Sequence, residues 1–341
     1  MPIFFVTGGA GFIGSAFVKL VLDECPDTEL INYDALTYAG NLDNLAGLDS
    51  TRHRFIHGDI TDRSAVSDAL PPSCDAIINF AAESHVDRSI ASAGEFLRTN
   101  VIGTQVLLDA ARERDVRRFV HISTDEVMGS LPEDESSYFN EQSAFAPNSP
   151  YAASKAAAEH LVRAATHTFG LNTIVTRCGN NYGPRQFPEK FLPLMISNAL
   201  NDETIPIYGD GRNVRDWIYV DDHCRAILAA LKRGQPGAVY NIGARNERRN
   251  IDVVESVLEA LDKPKSLMTF VKDRLGHDRR YAIDPSLIES ELGWRPQETW
   301  ESGLRKTIDW YRQNTLWLER ARSGAYREYY RKQYGSEGAV S

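Results

Sequence analysis

Five short apolar runs, IFFVTG, ELINYD, RFIHGDI, DAIINFAA and RRFVHIS, recur through the first half of the chain, with amphipathic stretches between them at residues 12–24, 62–70 and 94–114. Runs this short match buried strands, and the stretches between them carry helical spacing. Strands joined through helices run parallel, and their sheet must be covered on both faces. The predicted fold class is therefore α/β, with a doubly wound parallel sheet. NSPYAASKAAAEHLVRAATHTFG predicts a further helix of about 20 residues, with Ser149 as cap, Pro150 at the first position and Gly170 at the end. NTIVTRC supplies the next strand. From Gly179 the composition shifts to Pro, Asn, Gly and aromatics in GNNYGPRQFPEKFLP, which predicts departure into a smaller C-terminal lobe. DDHCRAILAALKRG and AVYNIG read as a helix and strand returning to the sheet, and no long internal repeat is visible.

With 341 residues and 42% hydrophobic content the chain can bury a substantial core. Its 38 basic and 47 acidic residues give a formal charge of −9. That balance argues against a nucleic-acid scaffold or an anionic membrane surface, while local cations can still hold a small polyanion. MPIFFVTGG runs directly into the first strand with no basic leader, and no apolar segment approaches the length of a membrane span, so a cytoplasmic protein with no membrane partner is expected. Cys25, Cys74, Cys178 and Cys224 lie far apart with no CxxC or CxxxH spacing, so free thiols and no metal site are expected.

VTGGAGFIGS follows the first strand and opens the first helix, with Gly8, Gly11 and Gly14 three residues apart. Glycines there permit a tight turn and let a pyrophosphate approach the unpaired N–H groups of the helix end. A three-glycine match alone can reflect packing, but Asp34 lies 20 residues beyond Gly14 at the end of the second strand. A carboxylate there accepts from both ribose hydroxyls and repels a 2′-phosphate, which favours NAD over NADP. The first half is thus read as a Rossmann-type NAD-binding domain, residues 1–178, with a returning segment at about 216–243. Residues 179–215 and 244–341 are assigned to the substrate-binding lobe.

Tyr151 and Lys155 fall one turn apart on one helix face. An ammonium near a phenol favours the phenolate and lowers its pKa, so such a tyrosine can act as a base. A YxxxK spacing alone is close to chance; behind a dinucleotide loop, with Ser123 of HIS just upstream, it becomes specific. Thr124, Asp125 and Glu126 end the fifth strand. An isolated Asp-Glu pair is usually solvated, but the carboxyl end of a parallel strand beside the nucleotide crevice is where such sheets hold ligands.

The chain resembles the extended short-chain dehydrogenases/reductases and, within them, is similar to the dTDP-glucose 4,6-dehydratases. The matching segments are TGGAGFIGS, YDALTYAGNL, GDITD, NFAAESHVDRSI, STDEV, SPYAASKAAAEHLVRA, TRCGNNYGP, QFPEKFLP, NVRDWIYVDDHCRAI, YNIG and GHDRRYAID, over roughly residues 3–285. The resemblance implies a hydro-lyase that oxidises C4 of a nucleotide-diphosphate sugar, removes water across C5 and C6, and returns the hydride to C6. It implies Tyr151, supported by Lys155, as base at the 4-hydroxyl. Glu126 is implied as base at C5, Asp125 as acid for the departing 6-hydroxyl, and Thr124 as a guide for the sugar. Adjacent carboxylates resist ionising together, which lets one stay protonated.

The cofactor residues implied are Gly8, Gly11, Phe12, Ile13, Gly14, Asp34, Ala35, Leu36, Thr37, Asp59, Ile60, Phe80, Ala81, Ala82, Ser84, Thr99, Ser123, Tyr151, Lys155 and Asn181. Those implied for substrate, beside the Thr-Asp-Glu triplet, are Ser84, Asn180, Lys190, Pro206, Tyr208, Arg215, Asn250, Arg274 and His277. His85 is set aside as structural. Met128, Gly179, Ala244 and Leu275 depart from the family's usual Tyr, Ser, Gly and Pro. Apolar residues in EFLRTNVIGTQVLLDAARER and on the Tyr151 helix exceed what one sheet face needs, and the resemblance implies a homodimer through paired helices. A UDP-glucose dehydratase and a 4-epimerase are the nearest alternatives, although an epimerase needs no C5 base. A regulator that senses nucleotides without turnover is a more distant one.

Overall fold

The computed structural model describes residues 1–133 and 136–322. Seven strands, β1 (Ile3–Thr7), β2 (Glu29–Asp34), β3 (His53–His57), β4 (Ala76–Asn79), β5 (Arg118–Thr124), β6 (Thr173–Cys178) and β10 (Val239–Ile242), form one sheet. Every pair in it is parallel, in the order β3-β2-β1-β4-β5-β6-β10. Apolar residues lie on both faces because both are covered. Phe17, Val18 and Val21 of the helix Phe12–Glu24 and Ile227 and Leu231 of the helix Val220–Arg233 pack against one face. Val66, Leu107, Leu108 and Val162, from three other helices, pack against the opposite face. The strand order reverses direction between β1 and β4, which opens a crevice at their carboxyl ends.

The Tyr151 helix runs Pro150–Phe169, with Ser149 Oγ accepting from the Ala152 N–H at 3.1 Å and Gly170 left-handed at φ +70°. The stretch at 94–113 is one helical run whose middle, Leu97–Gly103, widens into a π turn. Such turns re-aim side chains. Here Asn100 exchanges two hydrogen bonds of 2.9 Å with the Glu83 backbone, tying the helix to the loop after β4.

Past β6 the chain enters β7 (Asn180–Tyr182), which pairs with β9 (Val214–Tyr219), which pairs in turn with β11 (Glu247–Arg249). β8 (Ile205–Tyr208) and β12 (Met268–Val271) form a two-stranded ribbon. Tyr182, Met195, Trp217, Val254, Trp300 and Tyr311 share a second core there. The returning segment expected at about 216–243 divides. β9 stays in the small sheet because its edges bond β7 and β11, and the return begins with the helix Val220–Arg233. Ile288, Leu292 and Trp294 also belong to the core beneath the large sheet, so residues 244–341 do not all stand with the small lobe. Residues 323–341 lie outside the described residues. Among the described residues no helix is long and apolar enough to cross a membrane.

Candidate active site

Gly8 adopts φ +70°, and a Cβ there would sit 2.6 Å from the Ala81 nitrogen, so only glycine lets the loop close over β4. Gly11 precedes the helix Phe12–Glu24, whose first turn has no side-chain cap, leaving its N–H groups directed at the crevice. The Asp34 carboxylate accepts from the Ala10 N–H at 2.9 Å and the Leu36 N–H at 2.8 Å. Burial raises its pKa and these two bonds lower it. Each oxygen retains acceptor capacity for a ribose hydroxyl.

One cleft gathers Gly8, Gly11, Phe12, Ile13, Gly14, Asp34, Ala35, Thr37, Asp59, Ile60, Phe80, Ala81, Ala82, Ser84, Thr99, Ser123, Thr124, Asp125, Glu126, Tyr151, Lys155, Asn180 and Asn181. Leu36 is the exception among the expected cofactor residues: it does not line the cleft, and its contribution is the backbone N–H that holds Asp34. A second cavity contains Pro206, Tyr208, Arg215, Asn250, Arg274 and His277, and shares Ser84, Glu126, Asn180, Asn181 and Lys190 with the first. Glu126 therefore stands where the two meet. Sequence reasoning missed Asp87, Glu189, Trp217 and Tyr281 of the second cavity, and His85, set aside as structural, lines it as well. Tyr281 lies within GHDRRYAID, so only that segment pointed towards it.

Thr124 ends β5 and caps the tight turn Asp125–Met128, accepting from the Glu126 N–H at 3.3 Å and donating to Asp125 Oδ1 at 3.2 Å. Asp125 Oδ2 and Ser123 Oγ are buried with no hydrogen-bond partner. Buried orphans are rare in folded proteins, and two in residues lining one cleft fit a polar ligand bound there. Burial, and then the charge of Glu126, push the Asp125 carboxyl well above its ordinary value. Burial raises Glu126 as well, and Arg274, Arg215 and Lys190 offset only part of that rise. The pair is thus differentiated, with Asp125 biased towards the acid and Glu126 towards the base. The repulsion expected between them is present, second to burial.

The direction expected for Tyr151 is reversed. Its phenol is pushed well above 10 by burial and by Glu126, with Thr124 opposing the rise. Lys155 Nζ meanwhile donates to Ile122 O of β5 at 2.6 Å.

In the second cavity Lys190 Nζ donates to Ser84 O at 2.6 Å. The Arg215 guanidinium lies 4.2 Å from the centre of the Tyr281 ring and donates to Asp278 O at 2.8 Å. His277 pairs with Asp273 at 2.6 Å, while burial and the charges of Arg274 and Arg215 push it down to about 4. Of the four departures, only Gly179 lines either cavity, and a Cβ there would meet Asp216 O at 2.7 Å. Met128 is buried beneath the site with its sulfur 3.7 Å from Arg177 Nη1, Ala244 donates to Asp216 at 3.1 Å, and Leu275 is exposed.

A reversing parallel sheet, a glycine loop with its acidic partner and a Tyr–Lys pair beside the fifth strand define an extended short-chain dehydrogenase/reductase. The sequence model described as GDP-mannose 4,6 dehydratase matches residues 5–307. A dTDP-glucose 4,6-dehydratase of Shigella flexneri is 51% identical, over 96% of this chain and 98% of that one. Escherichia coli K12 dTDP-glucose 4,6-dehydratase 1 is 50% identical over the same shares. The crystal structure of the Streptomyces venezuelae dTDP-glucose 4,6-dehydratase with NAD and TYD bound superposes with a TM-score of 0.91 at 49% identity, covering 94% of this chain and 99% of that one. The chain belongs to the GDP-mannose 4,6 dehydratase family and, within it, to the dTDP-glucose 4,6-dehydratases.

Proposed function

We propose that this protein is an NAD-dependent dTDP-glucose 4,6-dehydratase, forming a 4-keto-6-deoxy sugar nucleotide for deoxysugar synthesis. The observation that carries the reading is the partnerless Oδ2 of Asp125 next to Glu126, the residue at the junction of the two cavities. Loss of water across C5 and C6 is prohibitive while C4 is an alcohol, because the C5 proton is not acidic; beside a C4 ketone it is. Bound NAD would supply the hydride acceptor for C4, the donor for C6 and a positively charged ring beside Tyr151. The uncapped helix end would hold its pyrophosphate and Asp34 its ribose, with Asp59 and Ile60 near the adenine.

Tyr151 takes the proton of the 4-hydroxyl, with Thr124 beside it opposing the rise that burial imposes on the phenol. Glu126 removes the C5 proton, and Asp125 protonates the departing 6-hydroxyl. Lys190, Arg215 and Arg274 balance the diphosphate in an otherwise acidic protein. A 4-epimerase needs only the Tyr151 step and would have no use for a carboxyl pair in the cleft. Incubation with dTDP-glucose, followed by mass spectrometry, should show a sugar nucleotide lighter by one water. UDP-glucose should react much more slowly; equal turnover of both would contradict the dTDP assignment.

Leu97 and Ile102 on the 94–113 helix and Phe169 at the end of the Tyr151 helix are each more than half exposed. A second copy of the chain covering these positions makes the protein a homodimer. Sedimentation at micromolar concentration should give twice the chain mass; a single-chain mass would contradict it. The four cysteines are buried and unpaired, in keeping with a cytoplasmic enzyme.

A further inference from the structure

The layer behind Lys155 is polar, buried and unused by the chemistry above. His121, on β5, places Nε2 3.5 Å from Lys155 Nζ and Nδ1 3.2 Å from the side-chain amide nitrogen of Asn79 on β4. Asn79 Oδ1 accepts from Thr7 Oγ1 of β1 at 2.7 Å. The amide nitrogen also reaches Thr104 Oγ1 at 3.5 Å, and Thr104 donates to Asn100 O at 2.7 Å. Asn100 in turn donates to Ser154 Oγ on the Tyr151 helix at 2.8 Å. All of these residues are buried. Polar groups between central strands and helices destabilise a fold unless they are satisfied together.

An ammonium carries three N–H donors. Lys155 directs one at Ile122 O, and His121 Nε2 is placed for a second. A neutral imidazole accepts at Nε2 only when Nδ1 carries its proton, so Asn79 must then present its oxygen. A half-turn of the Asn79 amide exchanges oxygen and nitrogen between His121 Nδ1 and Thr7 Oγ1, a hydroxyl that can bond either, and gives up only the long 3.5 Å contact with Thr104, whose proton stays on Asn100 O. With the amide nitrogen towards Nδ1, the imidazole proton moves to Nε2, where it donates to an uncharged amine. The Asn79–His121 pair therefore has one arrangement for lysine as ammonium and another for lysine as amine.

We propose that His121 is the positioning residue of Lys155, taking one ammonium N–H at Nε2 so that another is aimed into the cleft, with the Asn79 amide selecting the imidazole tautomer. This rests on Lys155 being the partner of Tyr151. Burial, and then the charge of Lys155, push the imidazole well below its ordinary value, so it serves as a neutral acceptor. Lys155 is pushed down to about 8 by burial, against the opposing charges of Glu159 on its own helix and Cys178 on β6. The titratable groups facing Tyr151 are Glu126 and Asp125 from the turn after β5 and Cys178 from β6. β4 and the 94–113 helix contribute the uncharged Asn79, Asn100 and Thr104. Loss of the His121 acceptor destabilises the ammonium, so Lys155 gives up its proton at lower pH.

The test is C4 oxidation in a single turnover of the NAD-loaded enzyme, followed across pH. His121→Asn keeps a partner for Asn79 but is too short to reach Lys155, whereas His121→Gln carries an amide oxygen towards the Nε2 position. The Asn variant should oxidise C4 about tenfold more slowly near pH 8, with its alkaline limb lower by about one pH unit and KM for the sugar little changed. The Gln variant should recover most of that loss. An Asn variant whose alkaline limb does not move overturns the proposal, leaving His121 a buried structural group. Nitrogen-15 spectra of the unmutated holoenzyme need no variant to fold. They should show the Nδ1–H tautomer at neutral pH, changing to Nε2–H as Lys155 deprotonates; an imidazolium, or Nε2–H throughout, overturns it. If Lys155→Met leaves C4 oxidation intact, the assignment of Lys155 is wrong and the proposal falls with it; if oxidation is lost there but the Asn variant keeps its limb, only His121 is wrong.

Discussion

Glu126→Gln is expected to stop the enzyme halfway. Glutamine preserves the shape at the junction of the two cavities but cannot accept the C5 proton, so C4 oxidation proceeds and elimination stalls. Loss of a positioned general base costs on the order of 10²–10⁴ in rate, or about 3–5 kcal/mol of barrier, enough to make a later step limiting. Reduced nicotinamide should therefore accumulate on the enzyme during one turnover and be visible by its absorbance in stopped flow. The charge balance bears on this assignment: burial raises the Glu126 carboxyl, and Arg274, Arg215 and Lys190 oppose that rise, as a base requires. A variant that loses only substrate affinity, or dehydrates at the original rate, would make the carboxylate pair structural.

Tyr151→Phe should fail one step earlier. Without the phenol nothing takes the 4-hydroxyl proton, so the same stopped-flow trace should stay flat, with turnover lower by on the order of 10²–10⁴. The effect should exceed that of any residue outside the cleft, because the phenol lines the cleft beside Glu126 and Asp125 and is placed to meet the sugar there. An appreciable burst of reduced nicotinamide in this variant would assign the first proton transfer elsewhere. The contrast between the variants is diagnostic: one accumulates reduced cofactor and the other forms none.

The large sheet was legible because its information is local. Apolar runs and helical spacing mark β1 to β6, and the boundaries of the Tyr151 helix follow from Ser149, Pro150 and Gly170, each acting within one turn. The carboxylate pair was legible from its place at the end of β5. Contacts made across long sequence separations were not. β9 reads as a strand, but only its pairing with β7 and β11 decides that it stays in the small sheet. Tyr281 stacks beneath Arg215 although 66 residues apart in the chain. The spacing of Tyr151 and Lys155 predicted direct electrostatic help, yet the structure turns the ammonium towards Ile122 O, an acceptor on another element that no helical periodicity reveals. Leu36 shows the same limit on a smaller scale, since its function lies in a backbone N–H rather than in its side chain.

The central claim is that one hydride leaves C4 and returns to C6 of the same sugar while the carboxylate pair removes water between the two transfers. Incubating the enzyme with dTDP-glucose deuterated at C4 and analysing the product by mass spectrometry and NMR tests it directly. The account predicts a product lighter by one water that retains the deuterium, now at C6, with no lasting accumulation of reduced nicotinamide. A product that has lost the label, or reduced nicotinamide formed in proportion to product, would contradict it.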